Sequence, residues 1–152
     1  MADVAAITPW ETPVEDFRLR RCQRIRKGSD FATLGRSGHR CKFCGFAFIW
    51  KQNTDDNALP RIGIVTSRKV GNAVRRNFLK RITRESFRHF PKELLRGYDF
   101  LIIFRSDSKT SAVSDLRANL SAAFEKWEYQ RKSLDGMRHA TLGRELPLRS
   151  FE

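Results

Sequence analysis

Between Thr66 and Phe87 the chain reads TSRKVGNAVRRNFLKRITRESF. The residue types are those of anion recognition rather than of bond-breaking by side chains. Arg76, Lys80 and Arg84 recur at i, i+4 and i+8. On a helix that spacing lines their heads along one ridge, about 6 Å per step. The step resembles the phosphate spacing of a nucleic-acid strand, and guanidinium forks suit bidentate phosphate contact. Arg68 and Lys69 stand beside the helix start, where Gly71 permits a tight turn. Asn72 is placed to cap the helix, whose first N–H groups then face a potential phosphate. The plain alternative is a solvated helix face. Such faces normally alternate in sign, and Glu85 is the only acid in this stretch.

The elements that must position this ridge follow from pattern. A helix is expected over 71–90, ended by Pro91, with Val74, Phe78, Leu79, Ile82 and Ser86 on its apolar side. Arg76, Asn77, Lys80, Arg81, Arg84 and Arg88 fall on much of the opposite side. Before it, RIGIVTS reads as a strand, the hairpin partner of an earlier strand CKFCGFAFIWK across the turn-rich loop QNTDDNALP. Alternation in CKFCGFAFIWK puts Cys44, Phe46, Phe48 and Trp50 on one face, and Phe43, Gly45, Ala47 and Ile49 on the other. A short helix starts near Ser29 and stops at Gly35 or Gly38. YDFLIIFR has almost no polar interruption, the mark of a central strand. A last helix over about 112–131 carries Val113, Leu116, Leu120, Ala123, Phe124 and Trp127, with Thr110 or Ser111 as its cap. One more short strand is possible. The sum is an α+β layer, one small sheet with helices against it.

The whole chain has 152 residues and a formal net charge of +13. The excess is concentrated: residues 61–92 hold ten basic side chains and one acid. Such crowding opposes folding unless a polyanion is present, which makes nucleic acid the expected partner. No apolar run reaches the roughly 20 residues of a membrane span. The start shows no secretory pattern, and three cysteines argue for a reducing compartment, taken as cytoplasmic. Residues 1–17 read as a flexible leader, 18–132 as the RNA-binding domain and 133–152 as a flexible tail.

The run V-G-N-A-V-x-R-N-x-x-K-R-x-x-R-E, here from Val70 to Glu85, resembles the signature helix of the bacterial ribonuclease P protein component. RIRKGSDF (Arg24 to Phe31), PRIGIV (Pro60 to Val65) and YDFLIIFR also fit, so the resemblance covers about residues 22–132. It implies a single two-layer α/β sandwich with about three helices and a left-handed β-α-β crossover, like the second domain of a small-subunit ribosomal protein. It implies a subunit of an endoribonuclease ribonucleoprotein that removes the 5′ leader from precursor tRNA. The catalytic RNA performs the reaction with Mg²⁺, and the protein binds no cofactor of its own. The partners implied are that RNA and precursor tRNA, with no membrane and no small-molecule substrate. Arg68, Lys69, Asn72, Arg76, Asn77, Lys80, Arg81 and Arg84 would contact RNA. The leader would lie in a cleft between the first helix and the sheet, flanked by Phe31, Phe46 and Phe48.

Two positions depart from the family pattern. Phe78 stands where a third cation is common, and it is expected to pack instead. Gly35 stands where the first helix usually carries an aromatic residue, which either makes the cleft shallower or passes the stacking role to Phe46, Phe48 or Trp50. Other readings compete at two places. Cys22, His39, Cys41 and Cys44 could supply zinc ligands, but a zinc knuckle needs a turn between its cysteines and the strand alternation runs straight on from Cys44. The aromatic stripe Phe46, Phe48 and Trp50 could be core or a base-stacking platform, and core is the safer reading for any aromatic stripe. No histidine has a paired carboxylate to make it a general base, so a protein-borne nuclease site is not supported. The alternative function is a structural RNA-binding protein such as a ribosomal protein.

Overall fold

The computed structural model describes residues 19–109 and 111–142. The elements are α1 (Gly28–Ser37), β1 (His39–Phe43), β2 (Phe46–Gln52), β3 (Arg61–Thr66), α2 (Ala73–His89), α3 (Lys92–Leu95), β4 (Tyr98–Phe104) and α4 (Val113–Leu142). They form an α+β fold around one four-stranded sheet of order β1-β2-β4-β3.

β4 is central, as its unbroken apolar run predicts. It lies antiparallel to β2 and parallel to β3. β3 is therefore not the hairpin partner of β2: β4 enters between them, and α2 carries the chain across from β3 to β4. Parallel pairing needs such a crossover, since a short turn cannot reverse the chain twice. The expected long strand over CKFCGFAFIWK is likewise two strands. The chain turns at Cys44–Gly45, where Gly45 has φ +92°, and β1 pairs antiparallel with β2 from His39↔Trp50 to Phe43↔Phe46. Alternation cannot see a two-residue reversal whose flanking residues are all bulky. The turn moves Phe43 onto the same face as Phe46, and the two rings stack at 5.3 Å.

α2 and α4 cover one face of the sheet. Phe46, Phe48, Trp50, Phe100, Ile102 and Phe104 meet Leu79, Ile82, Phe87, Leu120, Phe124 and Trp127 there. α1 lies on the other face, where Leu34 packs with Ile49 and Leu101. Burying a large apolar side chain contributes roughly 1.5–3 kcal/mol, so the aromatic layer under α2 and α4 carries most of the stability. α4 continues to Leu142, past the expected end near residue 131 and into the stretch read as a tail. Its first bond runs from the Leu116 N–H to the Ala112 carbonyl. The Ser111 hydroxyl donates instead to the Asp107 carbonyl. The other candidate cap, Thr110, the leader over 1–17 and the last ten positions of the tail, 143–152, lie outside the described residues.

α1 begins one residue before the expected cap, with Lys27 at the N-cap position and Ser29 inside the helix. It ends at Gly38, whose N–H donates to the Leu34 carbonyl at 2.9 Å. Arg61 ties this helix to the sheet: it meets Asp99 at 2.9 Å through Nε and Asp30 at 3.5 Å. Its hydrogen bond to Asp99 raises the guanidinium pKa, so this cation is committed to the fold.

Candidate nucleic-acid interface

The start of α2 is built as the sequence predicts. Gly71 has φ +146°, a conformation that L side chains rarely adopt. Asn72 caps the helix, its Oδ1 accepting the Arg75 N–H at 2.9 Å. Arg68 and Lys69 form a short 3-10 turn just before it, and both are exposed. Arg75 is taken by the scaffold: its Nη2 donates to the carbonyls of Ser108 at 2.8 Å and Ser111 at 3.0 Å. That contact pins the first turn of α2 to the segment between β4 and α4.

The orientation of α2 differs from the expected wheel. Its buried residues are Leu79, Ile82, Thr83 and Phe87, whereas Val74 is 76 % exposed. Val74 lies about 140° from Leu79 at 100° per residue, so it cannot share the same core. Thr83 is tolerated inside because its hydroxyl donates to the Leu79 carbonyl at 2.8 Å. Phe78 is half-buried and packs against the core, as its position suggested. With this rotation Asn77 and Arg81 face solvent, while Arg76, Lys80 and Arg84 are half-buried along one flank of the helix.

That flank faces a groove. Its other wall is the segment before α1, which runs beside β3: the Ile25 N–H donates to the Ile62 carbonyl at 3.0 Å, and Arg24 bridges to Ile62. Lys80, Arg84, Arg24 and Arg26 line the groove over Ile25, Ile62 and Ile64, with Leu19 at the same opening. It continues along α2 between Arg24, Arg81, Arg84 and Arg88, with Glu85 also in its lining. Burial and then the charge of Arg24 push the Arg84 guanidinium below its ordinary range; it stays a cation at neutral pH. Glu85 does not relieve this crowding, since it meets Arg81 at 3.1 Å and Arg117 at 3.6 Å. Among the described residues no carboxylate pairs with Arg24, Arg84 or Arg88. The Nε atoms of Arg76 and Arg88 are buried without an acceptor. Such a surface is short of anions in just the way a phosphate chain would satisfy.

Arg24 and Arg88 are additions to the site expected from the sequence. Arg88 is the next i+4 step after Arg84, and Arg24 lies in the basic run RLRRCQRIRK. The first signal was available. The second needed the β3 pairing to show that this run returns beside α2.

The α1 face of the sheet holds a second surface. Register places Lys42, Ala47, Ile103 and Val65 in one row across all four strands. Val65 is 37 % exposed and Ile103 is half-buried, so α1 leaves this row partly open. Phe31 of α1 is half-buried and lies against Gly63, where an added Cβ would come within 2.6 Å of the ring. Gly35, one turn further on, has nothing within 4 Å of an added Cβ. Phe31 thus lies between α1 and the sheet. Phe46 and Phe48 do not: they are 0 % and 1 % exposed, on the opposite face, under α2 and α4. Successive strand residues alternate faces, so their neighbours Ala47 and Ile49 are the ones that look toward α1.

The cysteines and His39 are not gathered. Cys22 and Cys44 are exposed, the Cys41 thiol donates to Gln130 Oε1 at 3.7 Å, and the His39 ring stacks on Trp50 at 4.3 Å. The chain turns at Cys44–Gly45 rather than running straight on, but from Cys41 to Phe43 it is strand, so no turn lies between the two cysteines. No group of three His, Cys, Asp or Glu among the described residues could hold a metal ion. No helix there is long and apolar enough to cross a membrane.

A family model described as Ribonuclease P matches residues 19–128. The ribonuclease P protein component of Macrococcus caseolyticus is 33 % identical over 102 residues, covering 67 % of this chain and 87 % of that protein. The component from Syntrophus aciditrophicus is 30 % identical over 113 residues, covering 74 % and 93 %. The solved RNase P protein of Staphylococcus aureus superposes with a TM-score of 0.62 at 30 % identity, over 68 % of this chain and 93 % of that one. That of Thermotoga maritima gives 0.55 at 32 % identity, over 64 % and 90 %. With the basic groove beside α2 and the four-stranded sheet behind it, these matches show that the chain belongs to the ribonuclease P protein family.

Proposed function

We propose that the chain is the RNA-binding subunit of a cytoplasmic ribonuclease P, assisting removal of the 5′ leader from precursor tRNA. The observation that carries this is the groove of unpaired cations formed by Arg24, Lys80, Arg84 and Arg88. It fits the sugar-phosphate backbone of the catalytic RNA, with Arg68, Lys69, Asn72, Arg76, Asn77 and Arg81 extending the contact along α2. The strip beside Phe31, floored by Ile103 and Val65 and edged by Lys42, is our reading of the leader surface. It is apolar at its centre and basic at its edge, which suits a single strand whose bases stack while its phosphates face outward. Bond cleavage belongs to the RNA and its Mg²⁺. The protein's share is to hold the leader and to screen phosphate repulsion between two RNAs.

Equilibrium binding tests this reading. Holoenzyme reconstituted with bacterial catalytic RNA should bind tRNA carrying a 5′ leader more tightly than mature tRNA, and RNA alone should discriminate less. Equal preference with and without the protein would favour a structural RNA-binding protein instead.

A further inference from the structure

A separate cavity lies at the other edge of the sheet from the basic groove. β1 is the outermost strand there, three strands from β3, so roughly 14 Å separates the two edges at the usual inter-strand spacing. The cavity, about 320 Å³, opens between β1 and the second half of α4. Trp50 and the His39 ring stacked on it at 4.3 Å stand on one side, and Tyr129 stands on the other. Tyr129 is 77 % exposed, so its ring is not spent on the core. Gln130 accepts the Cys41 thiol on Oε1 at 3.7 Å, which leaves its NH2 group for a ligand. The Trp50 Nε1–H is buried without an acceptor. Arg40 is exposed at the rim, and among the described residues no carboxylate lines the cavity. The family match ends at residue 128, so the α4 side of the cavity lies beyond the part this chain shares with its relatives.

We propose that this cavity takes one unpaired nucleotide of the RNA partner. The base enters between the Tyr129 ring and the His39–Trp50 stack, the Gln130 amide meets its edge, and Arg40 takes the phosphate. Aromatic rings, an amide with free donors and a guanidinium are the groups that hold a base splayed out of a strand. A volume of about 320 Å³ is at the small end of ligand cavities, roughly 300–1,000 Å³, and admits one nucleotide but not a folded strand. The acid-free lining favours an anionic ligand over a basic or neutral peptide. That the nucleotide belongs to RNA rests on the function proposed above; the chemistry of the cavity does not. An RNA that fills both the groove and the cavity grips the sheet at two opposite edges, which fixes the orientation of the subunit as one edge alone cannot.

NMR of the full chain, titrated with adenosine 5′-monophosphate, tests the cavity. The expected result is a saturable shift of the His39 ring, Trp50 indole and Tyr129 ring signals, absent with ribose 5-phosphate. Tyr129→Ala should lose the shift at His39 and Trp50 with an unchanged melting temperature, because the ring is exposed, and Tyr129→Phe should keep it. No shift at these signals, or an equal shift with ribose 5-phosphate, overturns the proposal. So does the same shift on raising the protein concentration alone, which gives the cavity to a second copy. RNA binding reads the source of the nucleotide. Tyr129→Ala should bind ribonuclease P RNA at least about fivefold more weakly, the lower end for one stacked base. Unchanged RNA affinity beside clear binding of adenosine 5′-monophosphate assigns the cavity to free nucleotides and overturns the RNA assignment. A chain that binds the nucleotide here but gives reconstituted holoenzyme no preference for leader-bearing tRNA would sink the proposed function and leave the cavity standing.

Discussion

Arg84 on α2 faces Arg24 across a groove floored by Ile62 and Ile64, and the repulsion adds to burial in lowering the pKa of Arg84. Like charges held together without an acid between them make a poor contribution to the free protein's stability. They make a good one to a complex with RNA. Replacing Arg84 or Arg24 with Ala should therefore leave the melting temperature unchanged or slightly raised. It should reduce the slope of log K for RNA against log salt by about 0.7–0.9 for each phosphate that is no longer neutralised. An unchanged slope with weaker binding would place the phosphates elsewhere.

The cap at Asn72 fixes where α2 starts and so where its ridge points. Its side chain satisfies the Arg75 N–H at 2.9 Å. Asn72→Ala should destabilise the fold by about 1 kcal/mol, read as a lower denaturation midpoint with an unchanged denaturant slope. Asn72→Asp keeps the cap and should keep the midpoint.

The proposed leader surface makes a prediction about two glycines. Gly35→Tyr places an aromatic ring in open space one turn from Phe31 and removes a mid-helix glycine. It should stabilise α1 by a few tenths of a kcal/mol, since Tyr recovers only part of the glycine penalty. It should also tighten binding of a single-stranded leader, by up to the ~1–3 kcal/mol of one stacked base. Gly63→Ala does the reverse, since its Cβ would meet Phe31 at 2.6 Å and push that ring off the strand. Fluorescence titration with a leader oligonucleotide reads both changes. No effect from either variant would move the leader off this surface.

Asp107 gives a pH signature. Its carboxylate is held below its usual range, first by the Arg105 hydrogen bond and then by the Gly45 N–H, which donates at 3.0 Å. A depressed folded pKa stabilises fully above the unfolded value near ~4 and loses that stabilisation as pH falls through the folded value. Asp107→Asn should therefore lower thermal stability at pH 7, and the gap to the parent protein should close in strong acid. A gap that stays constant with pH would mean that the charge is not what holds the β1–β2 turn.

Much of the scaffold was legible in the residues. Asn72 and Gly71 announced the start of α2, and the run from Phe100 to Phe104 announced the central strand. Leu116, Leu120, Phe124 and Trp127 announced the buried stripe of α4. What failed did so for identifiable reasons. Alternation is blind to a turn between two aromatic strands, so it misses the reversal at Cys44–Gly45 and puts Phe43 on the wrong face. Sequence order suggests that β2 and β3 pair, whereas β4 separates them. The wheel for α2 follows Val74 and Phe78, but the sheet and α4 together select the side of Leu79, Ile82 and Phe87. The basic ridge was recognisable from Arg76, Lys80 and Arg84. Its opposite wall, Arg24, emerges only because the chain runs back beside Ile62. For the same reason Phe46 and Phe48 pass for leader contacts in the sequence: type marks them as stacking residues, and only burial shows them to be core.

The central claim is that this chain serves a catalytic RNA. The most direct measurement is single-turnover cleavage of precursor tRNA by bacterial ribonuclease P RNA at low Mg²⁺, with and without the protein. A large increase in leader removal on adding the chain, abolished in the Arg24→Ala/Arg84→Ala variant and absent with protein alone, is the result expected. Cleavage at the same rate with and without the chain would contradict the assignment, and cleavage by protein alone would contradict the division of labour.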